Sequence, residues 1–224
     1  MPLVVDRRQW IVLAGTAALS LAAKPGSGKE DEVEVPAVED LMREHGVLRR
    51  ALLVYAEAAS RISAGQKDVP LESLGQTAAL FRSFGEDYHE RSLEQQHVFP
   101  PLAQTGGANA SLVATLTAQH ERGRELTDYV SAAAKTGRLP AADALRLFVR
   151  MYEHHAAIED TVVFPAWKRA ISARQYRELT EQFEDLEHRM FGKDGYEDAL
   201  KRISAIEEAF GLADLSKLTA PPPP

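Results

Sequence analysis

The chain has 224 residues, of which 45% are hydrophobic and 26% charged, with a formal net charge of −7 and no cysteine. That length suits one good-sized domain with an appendage. The acidic balance argues against a nucleic-acid binder, which needs a basic face. Without cysteine there is no disulfide, iron–sulfur cluster, zinc knuckle or thiol nucleophile, so any metal must be held by His, Asp or Glu.

The first thirty residues read as an address. Arg7 and Arg8 precede an uncharged, mostly apolar run from Trp10 to Ala23, with small residues near its end. This is the build of an export signal, and the run is shorter than the roughly 20 residues that span a bilayer as a helix. The arginine pair followed by Trp10 resembles a twin-arginine signal, although Asp6 stands where Ser or Thr is usual. Residues 1–30 are therefore read as export signal and linker. The expected location is periplasmic or otherwise exported, with the cytoplasm as the alternative and no membrane span left after signal removal.

From residue 36 onward every element reads as helix. Pro36, with Glu39 and Asp40 behind it, suits a helix start, and Leu41, Leu48, Leu52, Tyr55, Ala59 and Ile62 form a helical stripe. A second helix is predicted from Pro70 to Val98, stopping at Pro100-Pro101. A third is capped by Asn109 or Ser111 and runs to Lys135. A fourth starts near Pro140 and is kinked or ended by Pro165. Ser172-x-x-Gln175 has the form of a capping box opening a fifth helix to Met190. A last short helix runs to Phe210 and is closed by Gly211. The segment 212–224, ending in "TAPPPP", is expected to be a disordered tail.

Two halves of this pattern repeat. Leu41, His45 and Arg49 match Leu116, His120 and Arg124 in spacing. Each lone histidine is followed, one helix on, by a Glu-containing helix that ends in Val-Phe-Pro, at 98–100 and 163–165. Glu94 and Glu159 each lie six residues before that proline. Two helical hairpins built alike stack as an up-down-up-down four-helix bundle over 36–170, with a C-terminal helical extension at 171–211. His155 and Glu159 are four apart, so they share a helix face. Imidazoles and carboxylates buried together need partners, because an unpaired buried polar group costs on the order of 1–3 kcal/mol. A nitrogen and oxygen donor set suits Fe, Mn or Zn rather than Cu(I).

The segments "YHERSLEQQHVFP" and "HHAAIEDTVVFP", each preceded by a helix with a lone histidine, resemble the two motifs of the hemerythrin-like (HHE) domain family. The resemblance covers about residues 36–170. It implies a non-haem di-iron centre that meets O2, peroxide or nitric oxide, with iron placed ahead of Mn or Zn. Carried across, the metal ligands are His45, His89, Glu94, His120, His155 and Glu159. Two departures bear on this reading. His89 and Glu94 are five apart, which a regular α-helix places about 140° from each other. A π-bulge between Glu90 and Gln96 would absorb the extra residue; otherwise Glu90 takes or shares the ligand role. Second, O2 carriers of the family place another histidine four after the third-helix one, where this chain has Arg124.

Among the other candidates, His188 could fold back as an extra ligand, against the commoner reading of a surface histidine. His154 and His97 read as flanking residues. Arg49 and Arg124 could pair with ligand carboxylates, and Tyr88 and Tyr152 read mainly as packing. The function expected is a small-oxidant binder for sensing, scavenging or storage. The alternatives are a di-iron oxidase, peroxidase or nitric-oxide reductase, and a zinc-holding or metal-free helical interaction module.

Overall fold

The structure is a computed structural model that describes residues 35–192 and 194–223; the expected export signal lies outside them. Among the described residues there are six helical rods, a 3-10 turn at Leu215–Leu218 and no strand. Helix α1 is Ala37–Ser63. Helix α2 is one continuous rod made of Leu71–Leu80, a π-helical stretch Phe81–Val98 and a final α-helical Phe99–Gln104. Helix α3 is Gly107–Lys135. Helix α4 joins Ala142–Ile158, a π turn Glu159–Val163 and Phe164–Ala170. Helices α5 (Ala173–Phe191) and α6 (Gly195–Phe210) follow.

Rods α1–α4 form the up-down-up-down bundle, α1 packing along α4 and α2 along α3. Helix α6 lies against α1 and α2, and α5 against α1 and the π-helical part of α2. These two are the additional C-terminal helices. No helix among the described residues is long and apolar enough to cross a membrane.

Local chemistry explains most boundaries. Glu39 and Asp40 occupy the first turn of α1 and Arg61 its last, as the helix dipole favours. The Ser172–Gln175 capping box is formed, with Gln175 N–H donating to Ser172 Oγ at 3.2 Å and Ser172 N–H to Gln175 Oε1 at 3.0 Å. Gly192 and Gly211 close α5 and α6 at φ of 67° and 70°, where an L side chain would be strained.

Three expected boundaries are corrected. Helix α3 begins at Gly107, not after Asn109 or Ser111. Ser111 Oγ instead donates back to Gly107 O at 3.3 Å, on a turn already formed. The prolines do not end their helices either: α2 runs past Pro100 and Pro101 to Gln104, and α4, expected to be kinked or ended at Pro165, runs on to Ala170. In each case a π turn precedes the proline and shifts the ladder by one residue. Phe99 N–H donates to Glu94 O, and Phe164 N–H to Glu159 O, five residues back. The proline then opens a fresh α turn, where a missing N–H costs little.

The core is aromatic on both sides of the bundle centre. Tyr55, Phe81, Phe148 and Tyr152 pack together at ring distances of 5.2–6.1 Å. Toward the C-terminal helices, buried Trp167 stacks on Phe183 at 6.0 Å and donates from Nε1 to His97 O at 3.1 Å. Of the stripe read along α1, Leu41, Leu48, Leu52, Tyr55 and Ala59 are buried, while Ile62 is half-buried at the end of the helix.

Candidate metal centre

The four rods aim four histidines and two glutamates at one point in the bundle interior. His45, His89, His120, His155, Glu94 and Glu159 are all buried, none more than 2% exposed. The imidazoles form two pairs. His45 Nε2 stands 3.0 Å from His89 Nε2, and His120 Nε2 stands 3.1 Å from His155 Nε2. Both carboxylates reach both pairs. Glu94 places Oε1 3.4 Å from His89 Nε2 and Oε2 3.3 Å from His120 Nε2. Glu159 Oε2 lies 2.9 Å from His155 and 3.4 Å from His45, with Oε1 4.0 Å from His120.

This arrangement fits two cations. Two imidazole nitrogens bound side by side at right angles to one ion, each at about 2.1 Å, stand about 3.0 Å apart. All four carboxylate oxygens of Glu94 and Glu159 are buried and lack a hydrogen bond. Such atoms are costly unless something else neutralises them. Two overlapping donor sets, Glu94, His120, His155, Glu159 and His45, His89, Glu94, each lie within 4.8 Å and could hold a metal ion.

The proton affinities within the cluster follow from which imidazoles and carboxylates face one another. Burial disfavours charge on His45 and His89. Asp160 and Glu159 around the first, and Glu94 and Glu44 around the second, outweigh burial and raise both histidines, His89 strongly. His120 goes the other way, lowered chiefly by burial. Glu94 and Glu159, which burial alone would raise, are held below the usual carboxylate range by the neighbouring histidines.

The five-residue step from His89 to Glu94 is accommodated by π geometry. The π ladder covers 81–98, far more than the single bulge expected between Glu90 and Gln96. A second π turn, at Glu159–Val163, was not anticipated. In an i→i+5 ladder, residues five apart stack on one face. Glu90 is also buried but belongs to neither donor set: it accepts from Tyr152 Oη at 3.2 Å and lies 3.5 Å from Arg124 Nη2. Burial, with the charges of Glu86 and Glu94 beside it, holds its carboxyl well above the usual range. Arg124 is buried as well, its Nη2 donating to Glu86 O at 3.3 Å.

His188, the other second-tier candidate, is exposed on α5 and does not join the cluster, and His154 is exposed on α4. His97 is half-buried beneath Phe183, at a ring distance of 5.5 Å. Arg49 pairs with Asp160.

Sequence reasoning missed the residues behind the imidazoles. Each histidine has its Nδ1 engaged on the side away from the cluster. His45 Nδ1–H donates to Asp160 Oδ1 at 2.7 Å and His89 Nδ1–H to Glu44 Oε2 at 2.5 Å. His155 Nδ1–H donates to Gln119 Oε1 at 2.9 Å, and the Gln95 amide lies against His120 Nδ1, its nitrogen 3.0 Å away. The oxygen partners of His45, His89 and His155 fix ring orientation and leave Nε2 for a metal, and a Gln95 amide turned to present its oxygen does the same for His120. Also missed was the role of the phenylalanine in each Val-Phe-Pro. Phe164 stacks on His45 at 5.5 Å and Phe99 on His120 at 5.4 Å, closing the cluster with apolar faces. The signal for all six was adjacency: each lies beside a ligand candidate or in the repeated motif.

Comparison with known proteins agrees with this geometry. The family model described as hemerythrin HHE cation-binding domain matches residues 37–167, and matches again over 111–211, a register that begins inside α3 as a duplicated hairpin allows. Uncharacterized proteins of Mycobacterium tuberculosis (strains H37Rv and CDC 1551) and of Mycobacterium bovis are 42% identical over 238 aligned positions, covering 97% of this chain and 92% of theirs. No solved structure gives a significant match.

Proposed function

The chain belongs to the hemerythrin HHE cation-binding domain family, and from that premise we propose that it is a non-haem di-iron protein that binds O2, peroxide or nitric oxide for sensing, scavenging or storage. The observation that carries the reading is the pair of buried, unbonded carboxylates, each within reach of both imidazole pairs. His45 and His89 would hold one iron, His120 and His155 the other, with Glu94 and Glu159 bridging. When bound, the iron pair supplies redox-active positions to which a small oxidant can attach. Mn or Zn would satisfy the same donors, and iron is preferred on the family's account.

The residues around the centre restrict what reaches it. Phe99, Phe164 and Tyr152 cover the imidazoles with rings at 5.3–5.5 Å, which favours a diatomic or similarly small ligand and excludes bulk water. Arg124, one turn after His120, is turned to Glu90 and the Glu86 carbonyl and offers no third imidazole, so a metal at the His120–His155 position would keep room for an exogenous ligand. A second reading, turnover as an oxidase, peroxidase or nitric-oxide reductase, is favoured by Glu90. This carboxyl, whose proton affinity burial raises well above the usual range, accepts from the Tyr152 hydroxyl, and the Tyr152 ring lies beside His155, so a carboxyl that favours its proton stands near the centre.

The test is to load the full chain with iron, measure metal per chain and record visible spectra before and after O2, peroxide and nitric oxide. Two irons and an oxygen-dependent band that reverses under vacuum support binding. Decay of the band with oxidant consumed supports turnover, and zinc with no colour removes the iron reading. Export through the twin-arginine-like segment is part of the proposal, supported by Arg7-Arg8 and the apolar run behind them. Cell fractionation with and without Arg7→Lys and Arg8→Lys checks it; retention of the double variant in the cytoplasm is the expected result.

A further inference from the structure

The inner donors obey the duplication: each half gives a lone histidine, a second histidine and a glutamate. The residues behind them obey it in position but not in charge. The residue before the lone histidine backs the second histidine of its own half: Glu44 behind His89, Gln119 behind His155. The residue after the glutamate backs the lone histidine of the other half: Asp160 behind His45, Gln95 behind His120. The outcome is a sorting. Both imidazoles of one pair lean on carboxylates, and both imidazoles of the other lean on neutral amides.

We infer that the two metal positions are chemically unequal and fill in order, the His45–His89 position first. This rests on the di-metal reading above. A carboxylate accepting Nδ1–H pulls the proton outward and makes the opposite nitrogen a stronger donor, and it adds a negative charge near the cation; an amide does neither to the same degree. Glu44 is buried, and its second oxygen has no hydrogen bond, so its charge is directed mainly at His89. Asp160 shares its charge with Arg49, whose side chain is 41% exposed and therefore screened by water. The sorted partners set metal order and stability without touching metal.

The probe is Co2+, which is redox-stable here and coloured by its ligand field. Metal-free full-length protein is titrated by calorimetry and by visible absorption. Two steps are expected, with affinities about 10–100-fold apart or more, the range over which partners of metal-bound histidines act. Glu44→Gln with Asp160→Asn should weaken the first step by about that factor and leave the second where it was. Gln119→Glu should tighten the second step, a gain that misfolding cannot imitate. Two identical constants in the natural chain, or a first step unmoved by the double variant while Gln119→Glu also changes nothing, overturn the inference and leave the di-metal reading standing. Failure to bind any Co2+ overturns both.

Discussion

Metal loading should raise the thermal stability of this protein by an amount the geometry bounds. The cluster offers two positions. A ligand present at 100 times its dissociation constant stabilises the folded state by about 2.7 kcal/mol per site, or about 5 kcal/mol for two. For a chain of 150–250 residues, 1 kcal/mol moves the midpoint by roughly 2–4 °C, so the loaded protein should melt about 10–20 °C higher. Calorimetric melting of metal-free and iron- or cobalt-loaded protein measures this directly. Glu159→Gln should lose most of the gain from both positions, because Glu159 reaches His45, His155 and His120 within 4.0 Å. The pH dependence has a definite sign. In the metal-free protein His45 and His89 are raised above 6.5. Their contribution to stability is fully present below the unfolded value and is lost as pH rises through the folded one. Metal must displace those same protons, so the gain from metal should be smallest near pH 6 and grow toward pH 8. A loaded protein melting within a degree or two of the metal-free one, or a gain that does not change with pH, would refute the reasoning.

Other outcomes follow from the packing. Trp167→Ala removes a fully buried side chain that stacks on Phe183 and holds the His97 carbonyl, and it should cost about 3–5 kcal/mol in denaturant unfolding while leaving two metals per chain. Ser172→Ala breaks the capping box of α5 and should cost about 1 kcal/mol, read as faster amide exchange in the first turn of α5. On the acid side, Glu94 and Glu159 are held low, so their stabilisation is fully present above the unfolded value near 4.5 and should be lost progressively as pH falls from there through their lowered folded values. A metal-free melt that collapses already near pH 5 would contradict that. Tyr152→Phe removes the hydroxyl donated to Glu90 and should alter how the centre handles peroxide more than how much metal it holds; metal analysis beside a stopped-flow peroxide assay separates the two.

How far the site was legible depends on the residue. His155 and Glu159 share an α-helical face at four residues' separation, and that much follows from helix geometry. His89 and Glu94 did not fit until the helix was allowed an i→i+5 step, which the misfit itself suggested. The length of the π stretch did not follow, because it depends on how α2 packs against its neighbours over 81–98. The prolines misled for a related reason. Pro100 and Pro165 break an ordinary α ladder, but behind a π turn each merely restarts it. Glu90, one residue from His89, looked as good a ligand by spacing; its engagement by Tyr152 and Arg124 comes from residues 62 and 34 positions away, which no local pattern reports.

By itself the sequence determined the donor chemistry and the architecture. With no cysteine, only imidazole and carboxylate remain, and a duplicated spacing of histidine, glutamate and proline requires two like hairpins whose polar faces meet. These are short-range facts, because helical periodicity fixes which way a side chain points from its own axis. The tertiary structure decided the pairings across helices: Asp160 behind His45, Gln95 beside His120, Phe99 and Phe164 each capping the other half's histidine. Those depend on the relative rotation and stagger of separate rods, which are set by how whole surfaces interlock. The unlike letters at 44, 95, 119 and 160 stand in the sequence, but which imidazole each of them backs was decided by packing.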